Sequence, residues 1–222
     1  MTKKSLVLSC RRILLTLAVL LTLLLLAGSA AVAIAVARLW PQLPALDRVL
    51  HYQPQQPLQV FTADGVPIAQ FGEENREFVP IAQIPPLLQQ AVIAVEDRRF
   101  LRHPGIDPIG IARAVLANLG GELREGGSTI TQQVARNFFL NQDRTLERKL
   151  REALLALRIE RELDKPRILE LYLNQIDLGQ RSHGFAAAAR TYFGKPLQTL
   201  TLAETAMLAG LPQNPAWANP VV

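Results

Sequence analysis

The chain begins with a long apolar stretch that differs from everything after it. No charged side chain occurs from Ile13 to Ala37. At about 1.5 Å per residue, a helix of that length reaches about 37 Å and can cross a hydrocarbon core of about 30 Å. Residues 13–37 are therefore predicted to form a transmembrane anchor. A cleaved signal peptide is the alternative, because Ala31-Val-Ala33 offers small residues, although the run exceeds the usual length of a signal core.

Two shorter patterns follow the anchor. Residues 38–57 are rich in Pro and Gln, which is typical of an extended stalk that holds a domain away from a membrane. The apolar runs Leu58–Phe61 and Val66–Phe71 flank Asp64-Gly65, a pair that favours a β-hairpin. Pro67 restricts its strand to a sheet edge.

The remainder of the chain shows helical spacing with marked helix starts and stops. Asp107, followed by a proline, is typical of a helix N-cap, and Gly120 is typical of a helix end. Thr201 and Glu204 have the spacing of a capping box before an apolar helix that should stop near Pro212. These residues are interpreted as structural, and the pattern predicts a mainly α fold with one small β-hairpin.

A charged cluster lies on the helix predicted for residues 144–163. The positions at helical spacing that we expect to face the core are Leu146, Leu150, Ala153, Leu154 and Leu157. Glu152 lies off that stripe, and Arg148 and Lys149 precede it by four and three residues, so both cations lie beside its carboxylate. Taken alone, this cluster favours a solvated ridge of salt bridges over a catalytic site.

The distribution of charge along the chain indicates how the chain is oriented in a membrane, and it says little about which ligand the chain binds. The 222 residues carry a net charge of +5, from 24 Lys and Arg against 19 Asp and Glu. Lys3, Lys4, Arg11 and Arg12 precede the apolar run and Arg38 follows it, which places the N-terminus in the cytoplasm and the rest outside. Without these five cations the outer domain is formally neutral, so it lacks the basic surface of a nucleic-acid-binding protein.

Sulfur and metal chemistry have few candidates. Cys10, the single cysteine, lies before the anchor, so the outer domain contains neither a disulfide nor a thiol nucleophile. His103 has no cysteine or second histidine nearby and is interpreted as a structural or hydrogen-bonding residue.

Acid–base chemistry has clearer candidates. Glu96 closes the apolar run Ala91–Val95 and opens a polar string, and Glu152 is a second carboxylate beside two cations. Two carboxylates and a cationic cluster across one cleft suit glycosyl chemistry on an anionic substrate. The segment Gly126–Asn137 begins as a turn and becomes a helix; Ser128 and its polar neighbours either cap that helix or hold sugar and phosphate.

Together these motifs resemble those of the peptidoglycan glycosyltransferases, glycosyltransferase family 51, found alone and at the N-terminus of class A penicillin-binding proteins. The matching motifs, in chain order, are Glu96-Asp97 with Phe100, His103, Gly105 and Asp107; Gly127–Gln133 with Asn137; Arg148-Lys149 with Glu152; Ile168–Asn174 with Gly184; and Tyr192–Lys195. The resemblance covers roughly residues 58–220. His183 and Arg136 depart from the family, which often has an aromatic residue and Lys at these positions.

The resemblance implies a lysozyme-like, two-lobed domain over residues 58–222 that acts on lipid II, with residues 1–12 as a cytoplasmic basic tail. It implies that Glu96 is the general base for an inverting displacement and that Glu152 acts at the donor side. The residues it implies in substrate binding are Asp97, Ser128, Thr129, Gln132, Gln133, Arg136, Asn137, Arg148 and Lys149. No cofactor is required, and a divalent cation, Mg²⁺ or Mn²⁺, at the pyrophosphate is left open.

The implied setting is the bacterial inner membrane, with one membrane pass and an extracytoplasmic, periplasmic catalytic domain. Expected partners are the membrane, lipid II, the growing lipid-linked strand and cell-wall synthesis proteins. The family usually continues beyond Val222, and no Ser-x-x-Lys or Lys-Thr-Gly motif occurs, so the expectation is a monofunctional enzyme or a fragment of a bifunctional one. A lysozyme-like or lytic peptidoglycan-cleaving enzyme and a non-catalytic, truncated assembly protein are the alternatives.

Overall fold

The computed structural model describes residues 3–52, 58–65, 67–71, 75–119, 126–141 and 145–213. The chain divides into two units, residues 1–43 and residues 44–222. The first unit consists of helix α1, Lys3–Leu39, which continues into a 3₁₀ turn, Trp40–Gln42. Every side chain from Leu15 to Ile34 is exposed, so this part of α1 has no buried face. The predicted apolar helix is confirmed, and residues Leu15–Gln42 are long and apolar enough to cross a membrane, although a signal sequence meets the same criteria.

The extended stalk predicted for residues 38–57 is wrong over its first half. Residues 40–42 form the 3₁₀ turn, and Asp47–Leu50 form a short helix, α2. Leu46, the N-cap of α2, and Val49 are buried, and their spacing of three residues places them on one face of this helix. The abundance of Pro and Gln concealed this apolar spacing. Residues 53–57 lie outside the described part of the chain.

The predicted β-hairpin is confirmed. Strands β1, Leu58–Phe61, and β2, Pro67–Phe71, pair antiparallel with Leu58 opposite Phe71, and a register shift follows Val60. In the turn between them, the Gly65 N–H donates to the Thr62 carbonyl over 3.0 Å, and Gly65 has a φ of 84°. That left-handed conformation favours glycine. A second, parallel pair joins β3, Asn75–Arg76, to β4, Ser182–His183.

The fold of the second unit is mainly α, as predicted. Its longer helices are α3 (Pro86–Glu96), α4 (Pro108–Asn118), α5 (Ile130–Phe139), α6 (Leu146–Glu162), α7 (Lys165–Gln175), α8 (Phe185–Phe193) and α9 (Leu202–Gly210). Helix α5 packs against both α6 and α7, while α3 packs against α9. The core consists of fully buried side chains from these helices, including Val134, Leu155, Leu171 and Phe185.

The predicted helix starts agree with the structure. The Asp107 carboxylate caps α4, and Thr201 forms a reciprocal capping box with Glu204 at the start of α9, which ends just before Pro212. Helix α4 ends at Asn118, and the predicted stop at Gly120 lies outside the described residues.

The core face predicted for α6 is wrong. Leu146 is 91% exposed, Leu150, Ala153 and Leu157 are half-buried, and only Leu154 of the predicted stripe is buried. The fully buried residues are Glu152, Leu155, Ala156 and Ile159, which also follow helical spacing. A charged residue at position 152 made this face a poor candidate for the core in the sequence. The cationic partners of Glu152 nevertheless allow it to be buried there.

Candidate active site

Glu96 is the last residue of α3, and its side chain is half-buried against α5. The side-chain amide of Gln133 donates to Glu96 Oε2 over 2.7 Å. The other carboxylate oxygen, Oε1, is buried and accepts no hydrogen bond from any described residue. Buried polar atoms without a hydrogen-bond partner are uncommon, and they concentrate where a ligand or a reaction is to supply the partner.

Burial raises the pKa of Glu96 above its ordinary value of 4.5. Gln133, Tyr172 and Arg136 act in the opposite direction by stabilising the charged form, whereas the neighbouring Asp97 reinforces the rise. A carboxylate with a raised pKa is a stronger proton acceptor once ionised. The position at a helix C-terminus also disfavours negative charge. Glu96 thus has the environment expected of a general base.

The position of Glu96 is fixed by its neighbour, Asp97. Asp97 Oδ2 accepts hydrogen bonds from the Ile130 N–H over 3.0 Å and from His103 Nε2 over 3.0 Å. The Gly105 N–H donates to His103 Nδ1 over 3.1 Å, so the proton of a neutral imidazole lies on Nε2 and points to Asp97. These bonds attach the residue after Glu96 to the first turn of α5, one turn before Gln133. The hydrogen-bonding role predicted for His103 is confirmed.

Thr129 and Gln132 are also engaged within the protein. They form a reciprocal capping box at the start of α5, and Thr129 Oγ1 donates to the Gly105 carbonyl over 2.6 Å. Gly105 has a φ of 101°, and a Cβ there would lie 2.8 Å from the Ala156 carbonyl oxygen, so only glycine lets this loop approach α6. Substrate binding by Asp97, Thr129 and Gln132 stays a prediction, but these polar contacts already anchor α5.

The second carboxylate is connected through Lys149 to Ser128, two residues before α5. Glu152 is 0% exposed, and its Oε1 is in contact with Lys149 Nζ, which also donates to Ser128 Oγ over 2.8 Å. Arg148 Nη1 lies 3.5 Å from Glu152 Oε2. The solvated ridge favoured from local spacing is therefore wrong for this carboxylate, because Glu152 is turned into the core and draws both cations toward it.

The cationic cluster borders an open pocket. A pocket of about 330 Å³ is lined by Phe139, Leu140, Asn141, Thr145, Glu147, Arg148 and Arg151. Arg148 Nε is buried and donates to no described residue, although the rest of its guanidinium faces Glu152. A pocket of this size is in the range that holds a small ligand, and a guanidinium is suited to a phosphate group.

Helix α5 brings the two carboxylates into one site. Ser128 contacts the Glu152 cluster through Lys149, and Gln133 contacts Glu96. Gln133 lies only five positions after Ser128 in the chain, near the start of α5. Arg136 Nη2 lies 3.5 Å from Gln133 Oε1, and Asn137 is exposed one residue further along. The site therefore combines a basic carboxylate, a short helix edge and a cationic cluster.

One residue that contacts the site was missed from the sequence. Tyr172 on α7 is fully buried, and its hydroxyl acts on the pKa of Glu96. A tyrosine between Leu171 and Leu173, in a segment rich in Leu, was a usable signal, because a buried phenol normally requires a hydrogen-bond partner. The sequence does not indicate which partner that is.

The described residues contain no group of three or more His, Cys, Asp or Glu side chains arranged to hold a metal ion. The carboxylate best placed to contribute, Glu152, is already in contact with Lys149 and lies 3.5 Å from Arg148. Any divalent ion at the cluster would therefore depend on ligands from a bound substrate.

Comparisons with known proteins show which family this chain is similar to. A family model described as Transglycosylase matches residues 64–222. Penicillin-binding protein 1A of Neisseria cinerea is 54% identical over 196 residues, which are 88% of this chain and 25% of that protein. Penicillin-binding protein 1A of Escherichia coli K12 is 52% identical over 182 residues, or 82% of this chain and 21% of that protein. The chain thus spans about a quarter of the length of these relatives.

A solved structure is also similar. The crystal structure of penicillin-binding protein 1A from Haemophilus influenzae matches 76% of this chain and 16% of that chain, at 32% sequence identity and a TM-score of 0.39. A TM-score of this size supports no argument about the fold, so the mainly helical assignment rests on the helices described above.

Proposed function

We propose that this chain, which belongs to the Transglycosylase family, polymerises lipid II into β-1,4 glycan strands and releases undecaprenyl pyrophosphate. The observation that carries this proposal is the Glu96 carboxylate, with a raised pKa and one buried oxygen without a hydrogen-bond partner. It lies across the start of α5 from two cations suited to a pyrophosphate. A proton acceptor on one side and cations on the other match the needs of glycosyl transfer from a phosphate.

In this proposal Glu96 is the general base. Its Oε1 accepts the proton of the acceptor sugar 4-hydroxyl as that oxygen forms a bond to the anomeric carbon of the donor strand. The bond from that carbon to the pyrophosphate oxygen breaks in the same step, and its electron pair leaves with the pyrophosphate. One displacement on the face opposite the leaving group inverts an α-linked phosphate into a β-1,4 bond. Gln133 supports the step by donating to Oε2, so that Oε1 keeps both lone pairs free of hydrogen bonds.

The cations beside Glu152 stabilise the leaving group. Negative charge grows on the pyrophosphate as the bond breaks, and Lys149 and Arg148 lie where they can neutralise it. Glu152 holds both side chains at the donor side of the site. Ser128, Arg136 and Asn137 complete the proposed binding surface. This scheme has no metal-dependent step, and polymerisation assayed with a chelator, with and without added Mg²⁺ or Mn²⁺, decides whether a cation contributes.

The lipid-linked substrate also gives the apolar helix a role. We propose that α1 anchors the domain in the bacterial inner membrane, with the basic residues before it in the cytoplasm and the site outside. Replacing Cys10 with Ser and the exposed Ala63 with Cys gives a single reporter thiol on the hairpin turn. Labelling of intact cells stripped of their outer membrane by an impermeant maleimide supports this orientation; labelling only after inner-membrane lysis contradicts it.

The test of the activity is polymerisation of labelled lipid II in detergent by the parent, Glu96→Gln and Glu77→Gln. Glu77 is an exposed carboxylate paired with Arg190 and serves as the matched control. Muramidase-sensitive strands from the parent and the control, and none from Glu96→Gln, support the proposal. Soluble fragments released from finished peptidoglycan indicate the lytic alternative, and a folded parent that forms no polymer favours a non-catalytic role. The cell-wall synthesis proteins proposed as partners can be sought with the same membrane-bound chain.

A further inference from the structure

Two buried polar atoms, one on α3 and one on α7, lack a hydrogen bond of acceptable geometry in the described structure. They are Glu96 Oε1 and the hydroxyl oxygen of Tyr172. The two groups interact electrostatically, and each affects the pKa of the other. The Tyr172 hydroxyl is close enough to the carboxylate to lower the pKa of Glu96 as a hydrogen-bond donor, although the pair does not have the geometry of a formed hydrogen bond.

The Tyr172 hydroxyl is suited only to donate. Burial, and then the charge of Glu96, raise the pKa of Tyr172 well above its ordinary value of 10, so the phenol keeps its proton. The residue is fully enclosed on α7, which packs against α5, and its polar end cannot reach solvent. A buried hydroxyl left without a partner destabilises a protein, so its retention beside a reactive carboxylate calls for a functional reason.

Few other groups act on Glu96. Arg136 reaches it from α5, Tyr172 from α7, and Asp97 follows it in the chain. Helix α9, which also packs on α3, carries one titratable side chain, Glu204, and that carboxylate is paired with Lys195. Tyr172 on α7 and Gln133 on α5 act on Glu96 through neutral polar atoms, and of the two only Gln133 forms a hydrogen bond with it in the described structure.

We propose that Tyr172 is the positioning residue of the general base: its hydroxyl acts as a donor toward the Glu96 carboxylate in the free protein and forms a full hydrogen bond with it in the reacting complex, opposite the fixed bond from Gln133. The two donors then hold the carboxylate plane, keep the group ionised and direct one oxygen lone pair to the acceptor hydroxyl. Tyr172 touches neither substrate and moves no proton itself. This inference rests on the proposed role of Glu96.

The variant Tyr172→Phe removes the hydroxyl and keeps the ring. We expect kcat/KM for lipid II to fall about tenfold on the acid side of the pH profile, and the loss to shrink as the pH rises, because the carboxylate ionises at higher pH without its donor. KM should change little. The matched control is Tyr192→Phe, which removes a hydroxyl that donates to the Leu178 carbonyl over 2.7 Å, remote from Glu96.

Thermal stability separates this role from a structural one. Tyr172→Phe removes a buried hydroxyl without a partner, so its Tm should equal or exceed that of the parent, whereas Tyr192→Phe breaks a formed hydrogen bond and should lower the Tm. An acid-side loss that is specific to Tyr172→Phe, at unchanged Tm, supports the proposal. An equal loss at every pH, or a Tm that falls below that of Tyr192→Phe, overturns it.

A second readout does not depend on catalysis. Carbon-13 NMR of the labelled Glu96 side chain, identified by its absence in Glu96→Gln, follows ionisation in the parent and in Tyr172→Phe. The Glu96 pKa should be higher in Tyr172→Phe, and an unchanged pKa overturns the inference even where the parent polymerises lipid II. If the parent forms no polymer but the pKa rises as expected, the proposed function fails while the pairing of Tyr172 with Glu96 stands.

Discussion

Glu96 receives one hydrogen bond from a neutral amide, whereas Glu152 is in contact with one cation and has a second 3.5 Å away. Glu152 is the more deeply buried of the two. Its charge is balanced within its own helix, by residues three and four positions earlier. The charge of Glu96 is balanced poorly, and its nearest cation, Arg136, comes from another helix.

The difference shows that two carboxylates of one site can be given opposite tasks by their surroundings. An undercompensated carboxylate holds a proton more readily and can serve as a base, while a carboxylate surrounded by cations serves to fix those cations. It also shows that depth of burial alone does not identify the reactive group. The predictions below test whether these tasks can be separated.

The largest effect is expected for the base itself. Glu96→Gln keeps the size of the side chain and its contact with Gln133 but removes the proton acceptor, so kcat should fall by about 10²- to 10⁴-fold. Single-turnover polymerisation of lipid II measures this loss, and a thermal melt confirms folding. Retention of more than a tenth of parental kcat at a normal Tm would exclude Glu96 as the base. The contrast drawn between a reactive Glu96 and a cation-holding Glu152 would then be wrong.

The next effect tests the cation cluster. Lys149→Met removes one partner of the buried Glu152, so the free energy of unfolding should fall by about 1–3 kcal/mol, reduced from the full cost of an unpaired charge because Arg148 remains. The double variant Lys149→Met with Glu152→Gln removes the charge as well and should recover most of that loss. Chemical denaturation of the parent, Lys149→Met, Glu152→Gln and the double variant gives the double-mutant cycle.

The double variant should nevertheless remain impaired in lipid II turnover, because the cation that stabilises the leaving group is absent. Stability and activity would then be uncoupled at this cluster. If the double variant is as unstable as Lys149→Met alone, the stabilising partner of Lys149 is not Glu152, and the role assigned to this carboxylate is wrong.

A smaller effect is expected in the pH dependence of stability. Because the pKa of Glu96 is raised on folding, its contribution to stability is fully present below the ordinary value of 4.5 and is lost as pH rises through the folded pKa. Glu96→Gln has no such loss. Its unfolding free energy relative to the parent should therefore increase as the pH rises from about 4 to about 8, as followed by urea denaturation.

Glu204→Gln gives the opposite sign and serves as the control. Lys195 lowers the pKa of Glu204, so the parental carboxylate contributes stability above its unfolded pKa and loses it as the pH falls through the folded one. Glutamine keeps the capping box with Thr201, so only the charge is changed. Parallel pH trends in the two variants would contradict the assignment of a raised pKa to Glu96.

Local sequence patterns were enough for the features that local interactions determine. The hairpin around Asp64-Gly65, the cap at Asp107 and the capping box at Thr201 depend on neighbours within a few residues, and all three were predicted. The spacing of Arg148, Lys149 and Glu152 was also evident. The direction in which Glu152 points was not, because α5 and α7 decide which face of α6 is buried.

The surroundings of Glu96 depend on tertiary structure and could not be predicted in this way. Its partner Gln133 is 37 positions away in sequence, and Tyr172 comes from another helix. The prediction at Leu46 and Val49 was wrong for a related reason. Composition favoured an extended stalk there, while the contacts that bury these two residues could not be seen in the sequence. The resemblance to the family identified the two carboxylates, but it did not identify the groups that shift the pKa of Glu96.

The smallest expected effect comes from Ser128, the residue that connects α5 to the cation cluster. Its hydroxyl accepts a hydrogen bond from Lys149 Nζ over 2.8 Å, so Ser128→Ala loses one bond to a half-exposed cation that keeps its contact with Glu152. We expect KM for lipid II to rise about two- to tenfold, with kcat nearly unchanged. Because Ser128 has no contact with Glu96 among the described hydrogen bonds, the acid limb of the pH profile should not move. A shifted acid limb in Ser128→Ala would mean that α5 couples the two carboxylates, and the base and the cation cluster would have to be treated as one electrostatic unit.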